Sequence, residues 1–172
     1  MKKTSIIMII TLLLIFSRSL LADGDKRIMP IKNPNYSEEC SSCHFAYQPG
    51  LLPARSWQKL MANLEDHFGD NAELEPEVQT TLTNYLTQNS ADFSKGKLSL
   101  KLIHRLPKTQ TPMRITELPY FKHEHDEVPQ KMVTGNPAVK SFSYCDKCHT
   151  RAETGSYSED DIKIPGYGRW ED

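Results

Sequence analysis

Cys40-Ser41-Ser42-Cys43-His44 and Cys145-Asp146-Lys147-Cys148-His149 are the two stretches that decide how this chain folds. Together they use all four cysteines of the sequence, and both have the spacing C-x-x-C-H. On a short helical turn, two thiols so spaced lie about one turn apart, matching the two vinyl groups of a haem. The next residue then points its imidazole under the ring, toward the iron. C-x-x-C-H is the attachment signature of c-type haem. The pair implies two covalently attached haem c groups, with thioethers at Cys40, Cys43, Cys145 and Cys148 and proximal ligands at His44 and His149.

Three duller readings compete. Structural disulfides suit an oxidising compartment, but they need no histidine after each pair. A zinc site built from four thiolates has similar C-x-x-C halves, and it too leaves both histidines unexplained. Thioredoxin-like redox pairs sit in a βαβ context, and none surrounds either motif.

The rest of the composition is compatible with this. The chain has 172 residues, 38% of them apolar, which suits one compact domain or two small ones. Formal charge is −1, so nucleic-acid binding gains no support. Lys2 and Lys3 precede an apolar run from Ile6 to Phe16, and Ser17 to Ala22 forms a polar-to-small end. That is a secretory signal peptide pattern, here residues 1–22, and it points to a bacterial periplasm. Leu20 is larger than the cleavage rule prefers, so the cut can shift by a few residues. The apolar run is shorter than the ~18 residues of a membrane helix, so no span is expected after cleavage. The mature chain then has 18 basic and 22 acidic side chains, and it favours a docking partner with a basic rim.

Along the mature chain the pattern is mostly helical. Asp23 to Asn35 reads as a loosely held arm, and Ser37 as the N-cap of the first haem helix. Pro49, Gly50 and Pro53 mark a turn. Trp57, Leu60, Met61 and Leu64 recur at helical spacing, with Ser56 as a cap and Gly69 as a stop. Pro76 opens a further helix with Val78, Leu82, Tyr85 and Leu86 on one face. Leu98, Leu100 and Leu102 alternate, which predicts a strand or extended stretch. Pro107, Pro112 and Pro119 predict loops, with a short helix after Pro119, and Thr150 to Asp172 reads as coil. The fold class expected is mainly α: a small helical cytochrome wrapped around two covalent haems, with loops and little sheet. It should divide into residues 23–92 around the first haem and 93–172 around the second, with the seam near Asn89 to Gly96.

The second axial ligand decides what each iron does. Two protein ligands make an electron carrier, whereas an open position binds small molecules. His67, His104, His123 and His125 remain after the proximal pair. His67 lies in phase with Leu60 and Leu64 and is the preferred ligand, with Met61 as its rival. A methionine there more often serves core packing. For the other iron His125 ranks first, since it shares a helical face with Phe121 and Val128. His104 ranks second, in phase with the leucines if that segment is extended, and His123 third.

These residues resemble the dihaem cytochrome c family over most of the mature chain. The resemblance rests on both C-x-x-C-H motifs, on His67-Phe68-Gly69, on Arg114-Ile115-Thr116-Glu117-Leu118-Pro119-Tyr120-Phe121 and on Glu124-His125-Asp126-Glu127. It implies a periplasmic electron carrier with bis-histidine haems, His67 and His125 being the distal ligands. It also implies a small oxygen-binding monohaem cytochrome c as acceptor and a membrane cytochrome b as reductant. The rival class is a haem enzyme or gas sensor with one five-coordinate iron; a third is haem as a structural staple. Candidate histidines are plentiful and no substrate pocket is apparent, which favours the carrier, a low-potential one.

Overall fold

The computed structural model describes residues 26–170, so the expected signal segment lies outside the described residues. Among these residues there are five α-helices, several 3-10 turns and one two-stranded sheet, in agreement with the mainly helical expectation.

Helix α1 (Pro34–Cys40) starts one turn earlier than its sequence suggests. Pro34 occupies the first helical position, and the Asn33 side chain accepts a hydrogen bond from the Tyr36 amide at 3.1 Å. Ser37 therefore lies inside the helix and Asn33 is the cap. Helix α2 (Ala54–Met61) begins after Pro53, with the Ala54 amide donating to the Asp92 carboxylate across the fold. Ser56, expected as the cap, is fully buried within the helix. Helix α3 (Pro76–Gln88) opens on Pro76 as expected, and Leu82 and Leu86 are its buried face. It packs on α2, where Trp57, Leu60 and Met61 complete the core.

Residues 97–104 form helix α4 (Lys97–His104), not a strand. Leu98 and Leu102 are four apart, so both face the core, while Leu100 is 50% exposed on the opposite side. Leu106 continues the buried stripe. Helix α5 (Pro119–Glu124) packs on α4. The tail is not coil. Strands β1 (Lys163–Ile164) and β2 (Gly168–Arg169) pair antiparallel, and a bridge from His149 to Ile162 lays this hairpin against the second motif.

The arm is also tied down from residue 26 onward. The Ile28 amide donates to the Gly155 carbonyl at 2.9 Å, the Tyr157 amide donates to the Lys26 carbonyl at 2.9 Å, and Ile28 is buried. Gly155 holds φ +78°, and a Cβ there would lie 2.0 Å from the Ile28 carbonyl oxygen. Glycine is therefore required where the arm crosses. No helix among the described residues is long and apolar enough to cross a membrane.

Candidate functional site

The first centre is assembled at the end of α1. Cys40 is the last residue of the helix, and Cys43 and His44 follow in the turn. The His44 Nδ1 lies 2.7 Å from the Phe45 carbonyl oxygen. A carbonyl can only accept, so Nδ1 carries the proton and Nε2 presents its lone pair, the tautomer a metal ligand needs. Facing it is His67, with ring centroids 6.1 Å apart and planes inclined by 18°. His67 is not on a helix, because α2 ends at Met61. A 3-10 turn (Leu64–Asp66) carries the chain on, and His67 and Asp70 then pair as an antiparallel bridge. Phe68 and Gly69 at its tip both have positive φ, +59° and +101°, as in the primed turns of hairpins. The rival Met61 is buried in the core between helices.

The second centre lies in a cavity of about 490 Å³. Leu98, Leu102, Ile115, Val133 and Val139 supply apolar wall, and Cys145, Cys148, His125 and His149 all reach into it. His125 and His149 have ring centroids 6.2 Å apart with planes at 67°. The His125 Nδ1 is 2.9 Å from the Phe121 carbonyl, so it too offers Nε2 as a lone pair. Phe121 stacks on its ring at 3.9 Å, and Phe142 meets it edge-on. The His149 Nδ1 is buried with no hydrogen-bond partner. His104 and His123, ranked behind His125, are both exposed. His104 ends helix α4, and His123 turns outward to within 3.9 Å of Asp126.

Electrostatics keep these groups in ligand form. Burial pushes the His149 imidazole down to about 4 and lowers those of His125 and His67, so all three are neutral at pH 7. Burial pushes the Cys40 thiol up to about 11 and Cys145 up to about 12. Such thiols are poor nucleophiles, unlike those of a thioredoxin-like pair. All four cysteines are unpaired, and among the described residues no three Cys, His, Asp or Glu side chains converge as an ion site.

The residues present fit haem. Two metal–nitrogen bonds of about 2.0 Å each, plus about 1.1 Å from each nitrogen to its ring centre, place two axial imidazole centroids ~6.2 Å apart. Both observed pairs have that separation. A macrocycle also needs apolar walls and two thiols beside one imidazole, and the cavity at the second centre supplies them.

Sequence reading missed the groups between and around the centres. The Tyr47 hydroxyl donates to the Ser143 carbonyl at 2.6 Å, two residues before the second motif, while its ring lies 5.2 Å from that of His44. Buried Gln48 donates to the Ala152 carbonyl and accepts from the Tyr157 hydroxyl. Lys26 lines the cavity of the second centre and bridges Glu124 and Glu159. Only the proximity of Tyr47 and Gln48 to the first motif hinted at any of this.

Paired imidazoles above attachment cysteines, twice in one helical fold, define a c-type cytochrome. The profile of the dihaem cytochrome c family matches residues 36–157, and the chain belongs to that family. A dihaem cytochrome c from Shewanella baltica OS155 is 45% identical, with a TM-score of 0.67, and the match covers 81% of this chain and 98% of that one. Dihaem cytochrome c from Rhodobacter sphaeroides is 42% identical, with a TM-score of 0.68, covering 75% of this chain and 99% of that one. Among curated proteins nothing matches it. The chain therefore carries two haem c groups and serves electron transfer.

Proposed function

We propose that this is a periplasmic, low-potential electron carrier whose irons are each held by two histidines, His44 with His67 and His149 with His125. Residues 23–92 and 93–172 each hold one haem. The acceptor is a small oxygen-binding monohaem cytochrome c, and a membrane cytochrome b is the reductant. One observation carries the reading: both histidine pairs stand at the separation of two axial ligands, 6.1 and 6.2 Å between ring centroids. Haem iron supplies the one-electron step between ferric and ferrous. The chain's part is to fill both axial positions, to turn Nε2 of His44 and His125 toward the site through their Nδ1 hydrogen bonds, and to line the second centre with apolar side chains. Without a methionine ligand the potentials lie below those of His/Met carriers. The leader pattern of residues 1–22 supports export.

Absorption spectroscopy tests the ligand set. A low-spin ferric spectrum indifferent to cyanide, with a ferrous form indifferent to carbon monoxide, is expected. A high-spin component in the native protein would favour the enzyme or sensor reading. The partner is tested by stopped-flow reduction of a monohaem acceptor. With 18 basic and 22 acidic side chains on the mature chain, the rate should fall as salt rises. A rate indifferent to salt would rule out electrostatic docking and leave the carrier intact.

A further inference from the structure

Phe68 is out of place by every local rule. It adopts φ +59°, a conformation that glycine or asparagine takes readily and a bulky side chain does not. It is also 43% exposed, so core packing does not hold it there. What it touches explains it. Its ring centroid lies 4.9 Å from that of His67, edge to face, and the Arg114 guanidinium sits over the same ring at 3.8 Å. Arg114 comes from a separate segment, between α4 and α5, and is itself anchored. The buried side chains of Ile115 and Leu118 follow it, and the Glu117 carboxylate accepts from the Met113 and Arg114 amides. A cation over an aromatic face is attractive, and here it fixes a ring that abuts a candidate axial ligand.

We propose that Phe68 and Arg114 are positioning residues for the first centre: together they set the plane of the His67 imidazole, and the Arg114 charge raises that centre's reduction potential. The inference rests on the reading of His67 as an iron ligand. Strain at Phe68 is tolerated because the turn must place an aromatic ring beside the imidazole. A fixed positive charge near the iron favours the ferrous form, which carries one positive charge fewer. Arg114 also gives the C-terminal part of the chain a direct hold on the N-terminal centre.

The test uses the holoprotein with both haems, in redox titrations and electron paramagnetic resonance of the ferric state. The signal that His67→Ala removes identifies the first centre. Arg114→Met should lower its potential, cutting the ferrous-to-ferric ratio at fixed potential by roughly three- to tenfold, about 30–60 mV at 59 mV per decade. Arg114→Lys should restore most of that potential. Phe68→Asn suits the backbone but has no ring, and it should change the g-values of the first centre and lower its potential. The second centre should keep its potential and signal in all three variants. Unchanged g-values and potential in both Arg114→Met and Phe68→Asn would overturn the proposal, as would equal shifts at both centres. If His67→Ala left the first iron low-spin, the ligand assignment itself would fail, a result separable from the other two.

Discussion

The two centres share a five-residue motif and almost nothing else. At the first, Cys43 is exposed, His44 and His67 are half-buried, and the ring planes are near parallel at 18°. His67, the proposed distal ligand, hangs from a strained surface turn. At the second, an apolar cavity of about 490 Å³ encloses the pair, burial pushes His149 down to about 4, and the planes cross at 67°. His125, the proposed distal ligand, ends a helix and is stacked against Phe121. One attachment chemistry thus serves two environments, and the surroundings decide what distinguishes the irons.

The largest difference should appear when a haem is withheld. Without its haem the second centre exposes its apolar wall, including Leu98, Leu102, Ile115, Val133 and Val139, to water, and a domain has little stability to spare. Cys145→Ala with Cys148→Ala should therefore abolish cooperative melting and most helical circular dichroism. Cys40→Ala with Cys43→Ala should leave a residual transition. A haem-free chain with native helix content and a sharp melt would refute the view that the cofactor completes the core.

Ligand removal comes next in size. His67→Ala and His125→Ala should each keep both haems attached, open one iron, and yield a high-spin fraction with new carbon monoxide binding. Binding should be faster in His67→Ala, since that centre is shallow, and slower in His125→Ala, where Phe121 and Phe142 crowd the position. A low-spin spectrum in His125→Ala together with a high-spin one in His104→Ala would reverse the assignment at the second centre.

Much of this was legible in the sequence because haem attachment is local. The four attachment cysteines follow from the two motifs, and helical phase sets the expected order of distal candidates. The carrier of His67 did not follow, since Leu60, Leu64 and His67 stay in phase even though the helix stops at Met61. Alternating leucines at 98, 100 and 102 satisfy a strand pattern as well as two turns of helix, and burial of Leu98 and Leu102 decides for the helix. The arm reads as loose because its partners, Gly155 and Tyr157, are more than a hundred residues away. The contacts of Arg114 with Phe68 and of Lys26 with Glu124 and Glu159 escaped for the same reason. Contacts between distant segments leave no periodicity.

The reduction potentials should separate the centres more gently. Burial of the second haem among apolar side chains disfavours the extra charge of the ferric state, so the second centre should have the higher potential. Electron–electron repulsion between neighbouring haems widens the spacing. A titration should show two overlapping steps, both below those of His/Met carriers. Near-parallel imidazole planes should give the first centre a rhombic ferric signal, and crossed planes should give the second a more anisotropic one. Two identical signals, or a single one-electron wave, would remove the asymmetry.

The smallest effect expected is at Lys26, which ties the arm to the rim of the second cavity. Its ammonium donates to Glu124 at 2.8 Å and to Glu159, and its side chain is 28% exposed. Burial alone would push its pKa down, but the hydrogen bonds to the two carboxylates outweigh this and hold it charged above its ordinary value. Lys26→Met keeps the chain length and removes the charge, leaving two carboxylates facing each other across the rim. A partly buried double ion pair of this kind is worth about 1–2 kcal/mol, so the melting temperature should fall by about 3–6 °C in a chain of this size. The Ile28–Gly155 hydrogen bond and the burial of Ile28 keep the arm in place, which is why the loss stays small. Spectral change should be confined to the second centre, and Lys26→Arg should recover most of the stability. A loss shared equally by the two centres would mean that the arm braces the whole molecule, and the contrast between an open first site and a clasped second one would have to be redrawn.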